Sequence, residues 1–295
     1  MPHQTNSDLD GKAAQLIRGM TDGYNQTYGL GTMTCAVYDT AWVAMVSKII
    51  DGQTQWLFPS SFRYLLDRQS PEGGWEPHAS EVDGILNTLA ALLALCKYEN
   101  APHQLAGEMP EDICLRISRA TSFLRTYLRR WDVGATLHVG FEILVPTLLD
   151  LLEKEGITFA FEGRALLMDL NAKKMSHIDL SVLYGNAKTT MLHSLEAFCG
   201  KINFDQVSHH KVFGSMMASP SSTAAYLTYR STWDDESEAY LRHVISAGEG
   251  KENGGVPSAF PSTLFEITWV GNFHASDNVE TSSSLTSRLG AIHTS

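Results

Sequence analysis

The chain has 295 residues, a hydrophobic fraction of 43% and a formal net charge of −11. That length allows one large domain or two small ones, and the apolar content is ample for a buried core. The acidic balance argues against a nucleic-acid partner, because neutralising phosphates needs a basic face; Lys and Arg are scattered apart from Arg129-Arg130 and Lys173-Lys174.

In chain order, the first twenty residues are polar, carry Asp8 and Asp10, and lack the apolar core of a signal peptide. Helices are expected over 35–47, 60–69 and 81–98. The longest apolar run, Ile85 to Cys96, is too short to span a bilayer and contains Asn87 and Thr88, so no transmembrane segment is expected. Pro110 suits a first helical residue, and Ile113, Ile117, Ala120, Leu124, Tyr127 and Leu128 then form one helical stripe. Phe141, Leu144, Val145, Leu148, Leu151 and Leu152 form another, ended by Gly156. Further helices are expected over 163–171, 188–198, 221–230, 235–247 and 261–270. Few segments alternate with a period of two, so the fold is all-α, with helices in antiparallel pairs. Short Gly-rich connections at 69–75, 214–220 and 253–257 suggest stacked α-hairpins closing into an α/α barrel. Cys35, Cys96, Cys114 and Cys199 form no Cys-x-x-Cys pair, and three of them lie in apolar helical stretches where a buried free thiol is ordinary, which fits a reducing, cytoplasmic location.

Four segments carry more than periodicity. They are Tyr38-Asp39-Thr40-Ala41-Trp42, Pro71-Glu72-Gly73-Gly74-Trp75, Leu192-His193-Ser194-Leu195-Glu196, and the stretch from Asn253 to Trp269. In this order they resemble the fungal class II diterpene cyclases of the bifunctional copalyl diphosphate/ent-kaurene synthase type. The resemblance covers roughly residues 30 to 270 and implies the terpene cyclase α-barrel fold, with a γ domain inserted into a β domain. It divides the chain into an N-terminal segment (1–33), a first helix of a partial β domain (34–54), a γ-like barrel (55–250), and a return to β (251–270). Residues 271–295, rich in Ser and Thr, read as a disordered tail. The family's Asp-x-Asp-Asp acid occurs nowhere in this sequence. The pattern stops at Gly271, so the expectation is a chain truncated before that acid.

Taken alone, His193 among Met191, Leu192, Leu195 and Phe198 is the usual setting of a hydrogen-bonded core histidine. The resemblance makes it a catalytic candidate, because the matching His of plant relatives pairs with an Asn to hold a water. Here Ser258 stands at the Asn position, with fewer donors and a shorter reach. Lys174 matches a Lys that helps hold the substrate diphosphate; alone, beside Lys173, it reads equally as a solvated lysine. The resemblance also implies Mg²⁺, but the stretch before Gly140-Phe141-Glu142 keeps only Asp132, a weak site. Asp234-Asp235-Glu236-Ser237-Glu238 imitates a class I metal motif, yet its acids suit a helix N-terminus. The Tyr38–Trp42 and Gly73-Gly74-Trp75 segments read as structural, and His209-His210 as a surface pair.

Three functions remain open at this point. One is a diterpenoid-pathway cyclase acting without ionisation, as in an intramolecular Diels–Alder closure. The second is a non-catalytic remnant or partner of a full-length cyclase. The third is a module binding an apolar isoprenoid. Phe265 and Trp269, four apart, would form a ridge for self-association or for a cyclase partner.

Overall fold

The computed structural model describes residue 15 and residues 24–266, apart from 76, 78–79, 102–111, 248–250 and 252. The chain divides into two compact units, residues 33–259 and the pair of segments 1–32 and 260–295.

The larger unit is built around the helix Val37–Ala44, in which every residue but Tyr38 is buried. It packs against the helices Pro59–Arg68, Glu81–Asn100 and Pro220–Tyr229. The region assigned to 34–54 by resemblance therefore shares a unit with the helices that follow it. Glu81–Asn100 is apolar nearly all round, and fifteen of its twenty residues are buried; such a helix belongs inside a bundle. Ile113–Arg130 is the opposite case, burying only the stripe Ile113, Ala120, Thr121, Leu124 and Leu128. Pro110, its expected start, lies outside the described residues.

Helix starts follow the local chemistry. Pro59 and Pro220 occupy the first helical turn, where a missing N–H costs nothing. Ser219 accepts from Ser222 N, and Asp234 accepts from Ser237 N ahead of the helix Asp235–Ser246. Pro146 lies inside the helix Phe141–Lys154. Its ring cannot donate to the carbonyl four residues earlier, that of Glu142. Asn171 Nδ2, on the helix Arg164–Ser176, donates to that carbonyl at 2.7 Å instead.

Aromatic residues lock the connections. Tyr98 stacks on Trp56 at 4.3 Å and on Phe62 at 3.6 Å, and its hydroxyl donates to Ala44 O at 3.0 Å. Trp75 is buried, with its indole N–H on Leu65 O at 2.9 Å and its backbone N on Thr88 Oγ1 at 3.1 Å. Gly73, at φ +98°, makes this possible, because a Cβ there would sit 2.5 Å from the Arg119 backbone. Among the free thiols, Cys96 and Cys199 are buried and Cys114 is exposed.

Three features differ from expectation. Strands Ser47–Ile50 and Gln53–Trp56 form an antiparallel hairpin with Ser47 opposite Trp56. Asp51-Gly52, both at positive φ, is the turn dipeptide that closes it. The expected helix over 188–198 is instead a 3₁₀ segment, Thr190–Phe198, interrupted at Ser194. Leu180–Tyr184 and Phe204–His210 are also 3₁₀. Among the described residues the helices do not close into a barrel. With 3₁₀ turns across most of residues 180–210, that stretch lacks the long paired helices a barrel wall needs.

In the smaller unit, Leu30 and Thr263 exchange two hydrogen bonds, at 2.7 and 3.0 Å, and Thr32 N donates to Glu266 Oε1 at 2.7 Å. Leu264 and Phe265 are 73% and 63% exposed; Trp269 lies outside the described residues. An exposed Leu-Phe pair favours association. Phe265→Asp is expected to shift any dimer seen by sedimentation velocity toward monomer. An identical profile for parent and variant at high concentration would dismiss the ridge. No described helix is long and apolar enough to cross a membrane.

Candidate functional site

Three segments of the larger unit converge on a buried polar cluster. The first turn of Val37–Ala44 brings Tyr38 and Asp39, the segment Thr190–Phe198 brings His193 and Glu196, and the start of Pro220–Tyr229 brings Ser219, Ser221 and Ser222. Asp39 and Glu196 are 5% and 2% exposed. Glu196 Oε1 accepts from Tyr38 OH at 3.2 Å and from Ser221 Oγ at 3.4 Å. Its Oε2 accepts from Ser222 Oγ at 2.9 Å, and Ser222 Oγ in turn accepts from Leu195 N at 2.8 Å. Ser221 also hydrogen-bonds Asp39, so one hydroxyl lies between the two carboxyl groups. Its single proton cannot serve both.

Burial decides the charge state. It pushes Glu196 up to about 7, helped by the Asp39 charge and opposed by the Glu196 backbone N–H and the hydroxyls. Burial likewise pushes Asp39 up to about 6, against Ser221 and the nearby His193. Desolvation acts on both groups and like charge adds to it at Glu196, so both carboxyls hold their protons to higher pH than free ones do. Tyr38 and Tyr240 face the same charge and are held well above the ordinary phenol range, first by burial.

His193 is half-buried, and its Nδ1 lies 3.1 Å from Met217 O. A carbonyl can only accept, so the proton is on Nδ1 and Nε2 carries the lone pair in the neutral ring. Ser258 is half-buried on a segment held against the start of Val37–Ala44. Ala36 N donates to Val256 O at 2.8 Å, and Val256 N donates to Thr40 Oγ1 at 3.0 Å. Ser258 thus borders the helix that carries Asp39, but no hydrogen bond joins it to His193 among the described residues. Lys174 is 46% exposed and pairs with Glu142 at 3.0 Å. Burial raises Glu142, but its own backbone N–H and Lys174 outweigh this and hold it below the usual range. The cluster does not include Lys174.

The acidic stretch after Trp233 is structural. Asp234 caps its helix, pairs with Lys211 at 2.7 Å and with Arg230, and accepts from Tyr226 OH at 3.1 Å. Glu238 pairs with Lys48 at 2.7 Å and Arg242 at 2.8 Å. Asp132 spends one oxygen on Ala135 N at 3.1 Å. Among the described residues no three His, Cys, Asp or Glu side chains converge on a metal position. His210 is not on the surface: it is 4% exposed, with Nε2 3.0 Å from Leu183 O, while His209 beside it is exposed. A separate cleft of about 520 Å³ is lined by residues 80–82, 131, 132 and 135–138; it includes Asp132 but not His193, Ser258 or Lys174.

Asp39 and Glu196 were visible in the sequence only as parts of family segments. The signal that could have marked them is a carboxylate inside an apolar run, Ala36 to Ala44 and Leu192 to Phe198. Such a group must be paired or protonated.

The fold is similar to that of solved terpene cyclases. Ent-copalyl diphosphate synthase from Arabidopsis thaliana, solved in complex with (S)-15-aza-14,15-dihydrogeranylgeranyl thiolodiphosphate, matches with a TM-score of 0.68 at 27% identity, over 89% of this chain and 35% of that one. Abietadiene synthase from Abies grandis shares the fold, with a TM-score of 0.71 at 24% identity over 90% of this chain and 33% of that one. The sequence narrows the relationship to fungal diterpene cyclases. The chain is 53% identical to copalyl diphosphate synthase from Talaromyces verruculosus, over 89% of its own length and 27% of the relative's. It is 51% identical to phyllocladan-16-alpha-ol synthase from Phomopsis amygdali, over 90% of its length and 26% of the relative's. It is 44% identical to ent-kaur-16-ene synthase from Fusarium fujikuroi, over 90% and 28%. The chain therefore spans about a quarter of the length of these curated relatives. No protein-family model matches it.

Proposed function

We propose that this chain serves diterpenoid biosynthesis as the γ-type part of a class II cyclase fold, holding an isoprenoid chain against the polar patch centred on His193. The observation that carries this reading is the homology over nine-tenths of the chain, which runs through the Tyr38–Trp42 and Leu192–Glu196 segments that build the cluster. In this reading Lys174 lies toward the diphosphate and Ser258 toward the water or carbonyl that His193 orients.

The cluster is not a proton source for an alkene. Protonating an unactivated double bond needs an unusually strong acid, whereas burial makes Asp39 and Glu196 weaker acids than free carboxyls. A surface of this kind accelerates reactions through orientation and hydrogen bonding. Intramolecular Diels–Alder closure of a conjugated polyene is one such reaction. The exposed Leu264 and Phe265 favour a second reading, in which the chain pairs with a full-length cyclase.

The test is incubation with geranylgeranyl diphosphate and Mg²⁺. Thermal stabilisation by the ligand is expected, with geranylgeraniol as the only product after dephosphorylation. Copalol above a heat-killed control would overturn the statement about the acid, and absence of any thermal shift would overturn isoprenoid binding.

A further inference from the structure

Residues 212–219 form two successive tight turns. Val212 and Ser215 exchange backbone hydrogen bonds at 3.0 and 2.9 Å, and Ser219 N donates to Met216 O at 3.0 Å. The central pairs, Phe213-Gly214 and Met217-Ala218, all have positive φ, at 47°, 79°, 48° and 57°. Two positive φ values in a two-residue loop define a type I′ turn, for which Asn-Gly is the favoured sequence. Met-Ala is a poor choice, since a Cβ clashes in the left-handed region. The Met217 side chain is 40% exposed, so packing offsets that strain only in part. The turn is nonetheless pinned from below: Met216 is fully buried, its N–H donates to Thr223 Oγ1 at 2.9 Å, and Ala218 N donates to Ser215 Oγ at 3.3 Å. The strained residue is also the one whose carbonyl holds the His193 ring. Strain that persists beside a polar site, with an apolar side chain left partly in water, points to a task for that side chain.

We propose that Met217 has two roles at this site: its carbonyl positions His193 with Nε2 as the lone-pair nitrogen, and its side chain contacts the hydrocarbon chain of the bound isoprenoid beside that nitrogen. This rests on the isoprenoid-binding reading above. A thioether suits the second role, because Met is unbranched and conforms to an irregular polyene surface. The contact buries a side chain that the free protein leaves exposed, so the ligand's hydrocarbon length, rather than its diphosphate, should determine how much Met217 contributes.

The experiment replaces Met217-Ala218 by Asn-Gly, the sequence the turn prefers, with Met217→Asn alone as a second variant. Relief of strain should raise the melting temperature of the double variant by about 5 °C. Affinity for geranylgeranyl diphosphate should fall about tenfold, the loss expected for one partly buried apolar side chain. Affinity for isopentenyl diphosphate, which has the headgroup without the long chain, should not change. The ¹⁵N shifts of His193 should stay those of the Nδ1–H tautomer, because the carbonyl is retained. Unchanged geranylgeranyl diphosphate affinity in both variants would overturn the proposal while leaving the binding reading intact. A parent protein that binds no long-chain isoprenoid would remove the binding reading and the proposal together. A His193 signal of the opposite tautomer in the parent would overturn the positioning role.

Discussion

Between about pH 5 and pH 8 the protein is expected to lose on the order of 3 kcal/mol of unfolding free energy through the Asp39–Glu196 pair. The sign follows from the direction of the shifts. Both carboxyl groups are raised in the folded state, Asp39 to about 6 and Glu196 to about 7. A group raised on folding binds its proton more tightly in the native state. Its stabilisation is full below the unfolded value, near 4, and drains away as pH climbs through the folded value. The loss should therefore be concentrated between about pH 5 and pH 8, where most soluble proteins change little. His210 and His243 are lowered by burial and work the other way, costing stability as pH falls. Glu196→Gln separates the two effects. The amide keeps a donor and an acceptor in place of the protonated carboxyl but cannot ionise. Urea unfolding near pH 5 and near pH 8 should show a much smaller difference for the variant than for the parent. Equal differences in the two proteins would mean that the Glu196 carboxyl is not raised on folding.

Gly73→Ala is expected to cost at least about 3 kcal/mol, through left-handed strain plus a steric clash. Gly73 has φ +98°, and an added Cβ would meet Arg119 C and O at 2.5 Å, backbone atoms of a long helix that cannot swing aside. Gly74 is tight as well, but its neighbour is the Phe123 ring, a side chain rather than backbone. Thermal unfolding should therefore rank Gly73→Ala below Gly74→Ala. The reverse order would show that the helix Ile113–Arg130 gives way more easily than the ring. The consequence extends past the turn, since the same Gly-Gly step delivers Trp75 to Leu65 and Thr88.

The parts of this fold that were legible in the sequence are those written by side-chain period. The stripes from Ile113 and from Phe141 appear as helices whose buried faces carry most of the expected residues, with Ile117, Tyr127 and Leu144 half-buried at the edges. The hairpin was not read from the sequence: Ser-Lys-Ile-Ile and Gln-Thr-Gln-Trp do not alternate, so its strands carry no period of two. Thr190 to Phe198 has an apolar spacing that fits a helix, and tertiary packing overrides it. Leu195 N bonds a serine on another helix, and Ser194 takes a non-helical backbone (φ −140°, ψ 45°), neither of which a local pattern can express.

The candidate site was legible only in part, for a related reason. His193 stood out through its family segment, but its partner is a backbone carbonyl, which no sequence displays. The turn that supplies this carbonyl is spelled Met-Ala, where turn chemistry favours Asn-Gly. Asp39 and Glu196 lie 157 positions apart, and only the packing of Val37–Ala44 against Pro220–Tyr229 and of the latter against Thr190–Phe198 brings them to one serine. Lys174 stood out equally well, and its partner Glu142 sits in the neighbouring Gly-Phe-Glu segment.

The buried thiols give the molecule its own clock for opening. Burial pushes Cys96 and Cys199 up to about 12, so at neutral pH neither supplies thiolate while the core is closed. Each reacts only when its own neighbourhood opens. Cys96 sits on the central helix Glu81–Asn100 and Cys199 at the end of the 3₁₀ segment bearing His193 and Glu196. An alkylating reagent followed by peptide mass spectrometry would thus time two regions of one unlabelled chain. If the 3₁₀ segment breathes independently of the central helix, Cys199 will be modified well before Cys96.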